Sequence, residues 1–183
     1  RRPDEVHYTS SIIPDLKRRD FTINGMAYNL QSKELLDPLG GIPDLKKGII
    51  RAIGAATERF AEDALRPLRA CRFAAQLNFC LENKTEAAIK YVLPDMGTVS
   101  KERVRDELIK IIQSQNIVFG FELLKRTGLL ALFLPELEHC AGVKQRALHA
   151  FDVFYHSLYS CAAAPADSLL LRLAALFHDI GKV

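Results

Sequence analysis

The sequence is poor in the residues that mark several classes of protein. It contains 4 cysteines, 10 glycines and no tryptophan among 183 residues, which excludes a disulfide-stapled scaffold and a collagen-like repeat. The longest apolar run, residues 129–134, is far shorter than the roughly 18 residues that a membrane-spanning helix needs. Arg1 and Arg2 are followed by no apolar stretch, so a secretory signal is not expected. Because 49% of the residues are apolar, the chain can bury a core. We therefore expect an intracellular, cytoplasmic protein.

The cysteines and the overall charge say little about partners. Cys71, Cys80, Cys140 and Cys161 are far apart and form no C-x-x-C pair, which favours buried apolar side chains over a metal or redox site. Lys and Arg exceed Asp and Glu by 25 to 22, and the whole excess lies in residues 1–72. Such an excess weakly favours a phosphate-bearing partner, although most surface charge is simply solvated.

The first part of the chain has the pattern of mixed α and β structure. Residues 27–30 and 34–37 predict a hairpin. Residues 42–47 predict a short helix that Gly48 ends in a left-handed conformation. Residues 49–53 predict a strand.

Beyond residue 52 the apolar residues recur with a helical period. Pro67 lacks an amide hydrogen and fits only the first turn of a helix, so a helix is expected to begin near Glu62 or Asp63, with Asp63 at or beside its N-cap. Later helices are predicted at residues 84–93, 100–114, 117–126, 147–163 and 168–177. The sequence therefore predicts an α+β fold that is mostly α-helical, with pattern changes near residues 52 and 141.

Two dense clusters of charge are candidates for phosphate binding, and they lie at residues 15–24 and 59–73. In the second cluster Arg66, Arg69 and Arg72 recur every three residues and form a ridge on a helix. Glu62 and Asp63 are the acids within easy reach, and both lie near Arg66. Arg69 and Arg72 are thus left available for phosphate. The alternative for both clusters is an ordinary charged helix with internal ion pairs.

A histidine pattern follows near the end of the chain. His149, Asp152 and His156 are spaced by three and four residues, which places them on one helical face. His178 and Asp179 follow a second amphipathic stretch.

Three motifs resemble a known family in their order and spacing. They are Arg18-Arg19-Asp20-Phe21-Thr22-Ile23-Asn24; Asp37-Pro38 with Gly40-Gly41 and Asp44-Leu45; and Arg59-Phe60 with Glu62-Asp63, Arg66, Arg69 and Arg72-Phe73-Ala74. Together they resemble class II tRNA nucleotidyltransferases, which are the CCA-adding enzymes and the bacterial poly(A) polymerases. The resemblance implies that residues 1–52 are the C-terminal part of the nucleotidyltransferase palm. It also implies that residues 53–141 form a helical neck and body that bind the nucleotide base and RNA.

The resemblance implies a set of nucleotide-binding residues: Arg19, Asp20, Asp63, Arg66, Arg69 and Arg72. Of these, Arg19 and Asp20 would lie at the ribose and phosphates, and Asp63 and Arg66 would read the base. Cytosine and adenine both present an amino donor beside a ring-nitrogen acceptor, which a carboxylate and a guanidinium can satisfy together. Guanine and uracil present the reverse pattern and would leave buried groups unpaired.

The catalytic half of the family pattern is absent. The carboxylates that hold Mg²⁺ in the family precede the segment that matches Arg1 to Pro3, and this sequence contains no Asp-x-Asp pair. No catalytic residue is therefore expected in this chain, and Mg²⁺ is expected to bind upstream of it. We expect an interior piece of a longer enzyme, which holds parts of a nucleotide without transferring one.

Near its end the chain resembles a second family. His156 with His178-Asp179-Ile180-Gly181-Lys182 resembles the HD metal-dependent phosphohydrolases, in which two His and two Asp bind a divalent metal. The resemblance implies that residues 142–183 are the start of an HD domain, with His156, His178 and Asp179 as part of an incomplete metal site. Imidazole and carboxylate ligands suit a divalent transition metal.

The implied function is addition of C and A to the 3′ end of tRNA from CTP and ATP, with release of pyrophosphate. The candidate RNA-facing residues are Lys101, Arg103, Arg105, Lys110, Lys125 and Arg126. Three alternatives stay open: a poly(A) polymerase that uses ATP alone, an HD phosphohydrolase whose first part only binds substrate, and a non-catalytic RNA-binding protein.

Overall fold

The computed structural model describes residues 11–145 and 150–182. Within these ranges the chain is mostly α-helical with short strands, as the sequence predicted. The strands are β1 (Ala27–Tyr28), β2 (Leu35–Leu36), β3 (Ile49–Ile50) and β4 (Cys80–Leu81). The helices are α1 (Ile13–Lys17), α2 (Gly41–Lys47), α3 (Ala56–Glu62), α4 (Arg66–Leu77), α5 (Asn83–Val92), α6 (Lys101–Ile112), α7 (Ile117–Thr127), α8 (Leu129–Phe133), α9 (Pro135–His139), α10 (Val153–Ala163) and α11 (Leu169–Phe177), with 3₁₀ turns at Thr22–Asn24, Leu93–Thr98 and Ile180–Lys182. None of the helices in the described ranges has both the length and the apolar character that crossing a bilayer requires.

The predicted hairpin and strand are present but shorter than expected. Strands β1 and β2 pair antiparallel, with Ala27 opposite Leu36. Strand β3 covers only the first part of the predicted segment 49–53 and pairs in parallel with β4, which follows α4. Helix α2 ends at Lys47, and the next residue, Gly48, has the predicted left-handed conformation with a φ of 66°.

Asp44 on α2 joins the segment around Thr22 to the segment around Arg51. Its buried carboxylate accepts hydrogen bonds from the Thr22 hydroxyl at 2.7 Å and from Arg51 Nε at 3.0 Å. Thr22 begins the 3₁₀ turn that follows the first charged cluster. The position of that cluster is thus fixed by contacts to α2 and to the chain after β3.

The expected start of α4 was wrong. The helix begins at Arg66, because α3 continues through Glu62 and Asp63 then adopts an extended conformation with φ −148°. Pro67 still lies in the first turn, as its missing amide requires. Asp63 therefore lies between two helices, where its carboxylate accepts from the Leu65 N–H at 3.1 Å.

Helices α4, α6 and α7 approach each other closely at Gly120. A Cβ at this position would lie 2.7 Å from Ile111 Cγ2 and 2.9 Å from Ala75 Cβ. Buried residues of all three helices belong to one continuous apolar core. Helix α4 is therefore held in place by close packing against α6 and α7.

The last two helices form a pair that Arg172 joins to α6. Helix α10 begins at Val153, and not at residue 147 as predicted, because Asp152 caps it by accepting from the Tyr155 N–H. His149 lies outside the described residues. Arg172 is buried on α11 and donates to the carbonyls of Ile112 and Ser114 at the end of α6.

Candidate functional site

A polar cleft lies where the first charged cluster meets the start of α4. It has a volume of about 490 Å³. Its lining residues are Arg18, Arg19, Asp20, Asn24, Asp63, Arg66, Arg69 and Phe73. The fold thus brings together five of the six predicted nucleotide-binding residues, and Arg72 is the exception.

Asp20 is a buried anchor at one side of the cleft. Its carboxylate accepts from the Phe21 N–H at 3.0 Å and from Asn24 Nδ2 at 2.9 Å through one oxygen, and from Arg69 at 2.7 Å through the other. Burial alone would raise the pKa of this carboxyl, but the bonds from Asn24 and the charge of Arg69 outweigh it and hold the pKa below its usual value. Asp20 therefore stays ionised and fixes the direction of Arg69.

The expectation that both Arg69 and Arg72 are available for phosphate was wrong for Arg72. The Arg72 side chain is only 9% exposed, and its Nε donates to Glu107 on α6 at 2.5 Å. Arg69 also lies 3.9 Å from Glu107, but it remains 31% exposed and borders the cleft. The partners of these arginines are distant in sequence, which is why helical spacing alone did not identify them.

Asp63 and Arg66 line the same cleft and already have protein partners. Asp63 accepts from Leu65 through Oδ1 and from Arg103 Nη2 at 2.7 Å through Oδ2. A carboxylate offers about four lone pairs, so two acceptor positions remain. Partial burial would raise the Asp63 pKa, but the hydrogen bond from Arg103 and that from the Leu65 N–H lower it below the usual value. The group is thus an ionised acceptor at neutral pH.

Arg66 is held by three acceptors. Nη1 donates to the Arg59 carbonyl at 2.7 Å and to Glu62 at 2.6 Å, and Nη2 donates to the Arg18 carbonyl at 3.0 Å. A guanidinium has five N–H donors, so these three bonds leave two for a ligand. The bond to Arg18 also joins the two sequence clusters directly.

Arg18 and Arg19 supply the exposed positive charge of the cleft. Their side chains are 79% and 51% exposed, and both are near Asp15, at 2.6 Å and 3.6 Å. Exposed ion pairs of this kind contribute little to stability and exchange readily. These two guanidiniums can therefore turn to an anionic ligand at small cost.

A second cluster of side chains lies where the first turn of α10 meets the end of α11. His156 Nε2 is 3.2 Å from His178 Nε2, and Asp179 Oδ2 lies 3.6 Å and 3.3 Å from these two atoms. His178 Nδ1 is 2.8 Å from the Ala175 carbonyl, which can only accept, so in the neutral ring Nδ1 donates to it and Nε2 is the atom that can bind a metal. Three ligand atoms thus converge within 4.8 Å, and they fit a divalent metal.

Comparisons with known proteins identify the family to which the chain belongs. A family model described as the poly A polymerase head domain matches residues 1–51, and one described as the probable RNA and SrmB binding site of polymerase A matches residues 78–140. The chain is 43% identical to the CCA-adding enzyme of Limosilactobacillus reuteri over 182 residues, which is 100% of this chain and 44% of that protein. The chain belongs to the tRNA nucleotidyltransferase and poly(A) polymerase family.

Two further relatives support membership of the tRNA nucleotidyltransferase family. The A-adding tRNA nucleotidyltransferase of Deinococcus radiodurans is 39% identical over 188 residues, which cover 98% of this chain and 43% of that protein. The crystal structure of the Bacillus stearothermophilus CCA-adding enzyme in complex with CTP superposes with a TM-score of 0.78 at 34% identity, over 95% of this chain and 41% of that one. The chain thus spans less than half the length of these relatives.

Three residues that contact the side chains of the cleft were not predicted from the sequence to do so. Asn24 was seen only as part of a motif, and Glu107 and Arg103 come from α6 on another part of the chain. Glu107 is 3% exposed and accepts from Arg72 and Lys110. In the sequence, Glu107 falls among the apolar positions of α6, between Val104 and Ile111. A charged residue at such a position is the signal that could have indicated a buried ion pair.

Most of the predicted RNA-facing residues have other partners in the structure. Arg103 pairs with Asp63, Arg105 with Asp106, Lys110 with Glu107 and Arg126 with Glu86. Lys125 lies 5.1 Å from the centre of the Phe154 ring. Most of these ion pairs are exposed and exchange readily, so the residues stay candidates for contact with RNA.

Proposed function

We propose that this chain carries the nucleotide-selecting part of a CCA-adding tRNA nucleotidyltransferase. The whole reaction is the attack of a tRNA 3′-hydroxyl on the α-phosphate of CTP or ATP, with release of pyrophosphate. One observation carries the proposal: Asp63 and Arg66 share a cleft with Arg18, Arg19 and Arg69. The cleft thus offers a carboxylate and a guanidinium that can bind the base, next to arginines that can bind the phosphates.

The base would be chosen by the hydrogen bonds that Asp63 and Arg66 can still make. The ionised carboxylate accepts from the amino group of cytosine or adenine, and a free N–H of Arg66 donates to the ring nitrogen. Uracil and guanine would place a carbonyl against the carboxylate and an N–H against the guanidinium. Each such mismatch leaves a group unpaired at about 1–3 kcal/mol, so the protein selects C and A without a nucleic-acid template.

The phosphates would bind at the arginines on the other side of the cleft. Arg19 is the exposed cation nearest to Asp20 in sequence, and Asp20 orients Arg69. Buried Arg72 and Glu107 would act behind them by holding α4 against α6. Arg19 and Asp20 would thus lie at the triphosphate and ribose, and Arg69 and Arg72 would support the pocket of the base-reading pair, as the family resemblance implied.

Group transfer also requires carboxylates that hold Mg²⁺, and this sequence contains no Asp-x-Asp pair. We expect these carboxylates in the part of the enzyme that lies outside this sequence, and we expect this chain alone to bind a nucleotide without transferring it. tRNA, CTP and ATP are the proposed partners, and their common location is the cytoplasm.

The cluster of His156, His178 and Asp179 favours a second activity in the same protein. We infer that residues 142–183 begin an HD domain in which His156, His178 and Asp179 would hold a divalent metal. Such a metal activates water for attack on a phosphoester. Within this chain, the Ala175 carbonyl would orient His178, and Lys182, at 2.7 Å from Asp179, would compete with the metal for that carboxylate.

The decisive experiment is nucleotide addition by the full-length protein to a tRNA transcript that lacks its 3′ CCA. Incorporation of both CTP and ATP supports a CCA-adding enzyme, and incorporation of ATP in long tracts would instead support a poly(A) polymerase. No incorporation, with metal-dependent release of phosphate from nucleotide esters that His178→Ala abolishes, would favour the phosphohydrolase.

A further inference from the structure

A shallow hollow between α3 and α5 lies apart from the polar cleft and from the cluster of His156, His178 and Asp179. It has a volume of about 400 Å³, which falls in the range of roughly 300–1,000 Å³ that is usual for small-ligand sites. Its lining residues are Ala56, Thr57, Lys84, Ala87, Ala88 and Tyr91. The floor is made of small apolar side chains, and the set includes no carboxylate.

Tyr91 forms an exposed aromatic wall of this hollow. Lys84, Ala87 and Tyr91 are spaced by three and four residues on α5, so they share one face of that helix. Tyr91 is 76% exposed. A large aromatic side chain gains little by standing in water, whereas it would gain contact area if a flat, apolar ring lay against it and over the alanine floor.

Two exposed lysines of α5 leave positive charge at and beside this hollow that none of the described acids pairs with. Lys84 borders the hollow, and Lys90 is exposed one residue before Tyr91. The acids nearest to Lys84 in sequence are occupied elsewhere, because Glu82 pairs with Arg51 and Glu86 pairs with Arg126. Neither lysine forms an ion pair with any other residue in the described ranges.

We propose that this hollow, with Tyr91 as its wall and Lys84 in its lining, binds one unpaired nucleotide of an RNA strand. A base would stack on Tyr91 above the alanine floor, Lys84 would contact an adjacent phosphate, and Lys90 would add positive charge on the neighbouring side of α5. An aromatic ring beside cations is the arrangement by which proteins bind single-stranded nucleic acid without reading its sequence. The inference adds an RNA contact to the proposed selection of nucleotides. It rests on that proposed function, because the function is what identifies RNA as the substrate.

The test is RNA binding by the full-length protein, measured by fluorescence anisotropy with a short labelled single-stranded RNA. Tyr91→Ala should weaken binding roughly 5- to 100-fold, as expected for loss of one base–aromatic stack, whereas Tyr91→Phe, which keeps the ring, should bind like the wild type. Lys84→Gln should reduce the slope of log Kd against log salt by about 0.7, the value for one phosphate contact on a single strand. Lys33→Gln, which removes an exposed lysine from the β1–β2 turn, is the matched control and should change neither quantity.

Cross-linking gives the location independently. An RNA that carries 4-thiouridine should cross-link to the α5 peptide that contains Tyr91, and Tyr91→Ala should remove that cross-link. If Tyr91→Ala and Lys84→Gln bind RNA as the wild type does, or if they lose only the binding of an acidic peptide such as polyglutamate, the proposal is overturned while the nucleotide-selecting function stands. If the wild-type protein binds neither RNA nor CTP, the proposed function itself fails.

Discussion

Arg69 donates to the carboxylate of Asp20 at 2.7 Å, although 49 positions separate the two residues in the sequence. Asp20 is buried, and Arg69 borders the cleft that also contains Asp63 and Arg66. This bond, together with the one from Arg66 to the Arg18 carbonyl, converts two separate charged segments into one site. The cleft is therefore a product of tertiary structure, and Arg66 and Arg69 keep their direction without a ligand.

Asp20→Asn should destabilise the fold by about 1.5–3 kcal/mol at neutral pH, since it weakens a buried charged hydrogen bond. The Asp20 pKa is lowered in the folded state, so its contribution is present above the unfolded pKa of about 3.9 and is lost as the pH falls through the lower folded value. Urea unfolding from pH 7 to pH 3 measures this.

The difference in unfolding free energy between wild type and Asp20→Asn should thus be constant above about pH 5 and shrink in acid. Asp106→Asn, at a 56% exposed side chain, is the control and should stay within about 0.5 kcal/mol of wild type. A difference for Asp20→Asn that does not change with pH would mean that the carboxylate charge contributes nothing.

Arg19→Ala should weaken the binding of CTP, ATP, UTP and GTP to the same extent, because Arg19 would contact phosphates, which carry no base information. Since Arg19 is half exposed, a loss of about 3- to 10-fold is expected, and it should decline as salt rises. Calorimetric titration of the full-length protein measures the four affinities. Arg105→Ala, an exposed arginine outside the cleft, should have no effect, and a loss confined to one nucleotide would contradict the phosphate role.

Gly120→Ala should destabilise the protein by about 1–3 kcal/mol, the usual cost of overpacking. Its new methyl group would lie 2.7 Å from Ile111 and 2.9 Å from Ala75, although alanine favours a helix more than glycine does. Gly97→Ala is the matched control, because no atom lies within 4 Å of its Cβ position. Thermal unfolding compares the two, and equal midpoints would show that α4, α6 and α7 are not tightly packed here.

His178→Ala should remove metal binding at the α10–α11 cluster. The substitution deletes one of three converging ligand atoms, and loss of a ligand typically leaves too few donors to hold a divalent cation. Titration of the metal-free, full-length protein with Mn²⁺ measures this as the loss of one bound ion, because the transferase carboxylates expected elsewhere in the enzyme would also bind Mn²⁺. His139→Ala changes an exposed histidine elsewhere and should bind as wild type does, so equal affinity in the two variants would argue against the cluster as a metal site.

The sequence predicted the helices well because their apolar spacing and stop residues are local signals, as Gly48 illustrates. It misplaced the start of α4, because the extended conformation of Asp63 depends on α3 and on tertiary contacts. Motif resemblance identified the residues that line the cleft, but helical spacing could not reveal that Arg72 is buried against Glu107. Long-range ion pairs of this kind have no signature in local sequence.

The central claim is that Asp63 reads the base, and the most direct test is the CTP and UTP affinity of Asp63→Asn in the full-length protein. The amide keeps the size of the side chain but replaces an acceptor oxygen by a donor. We predict that the preference for CTP over UTP falls at least about 5-fold, which corresponds to one unpaired group of about 1 kcal/mol, while Asp106→Asn keeps it. An unchanged preference in Asp63→Asn would show that the base is selected elsewhere.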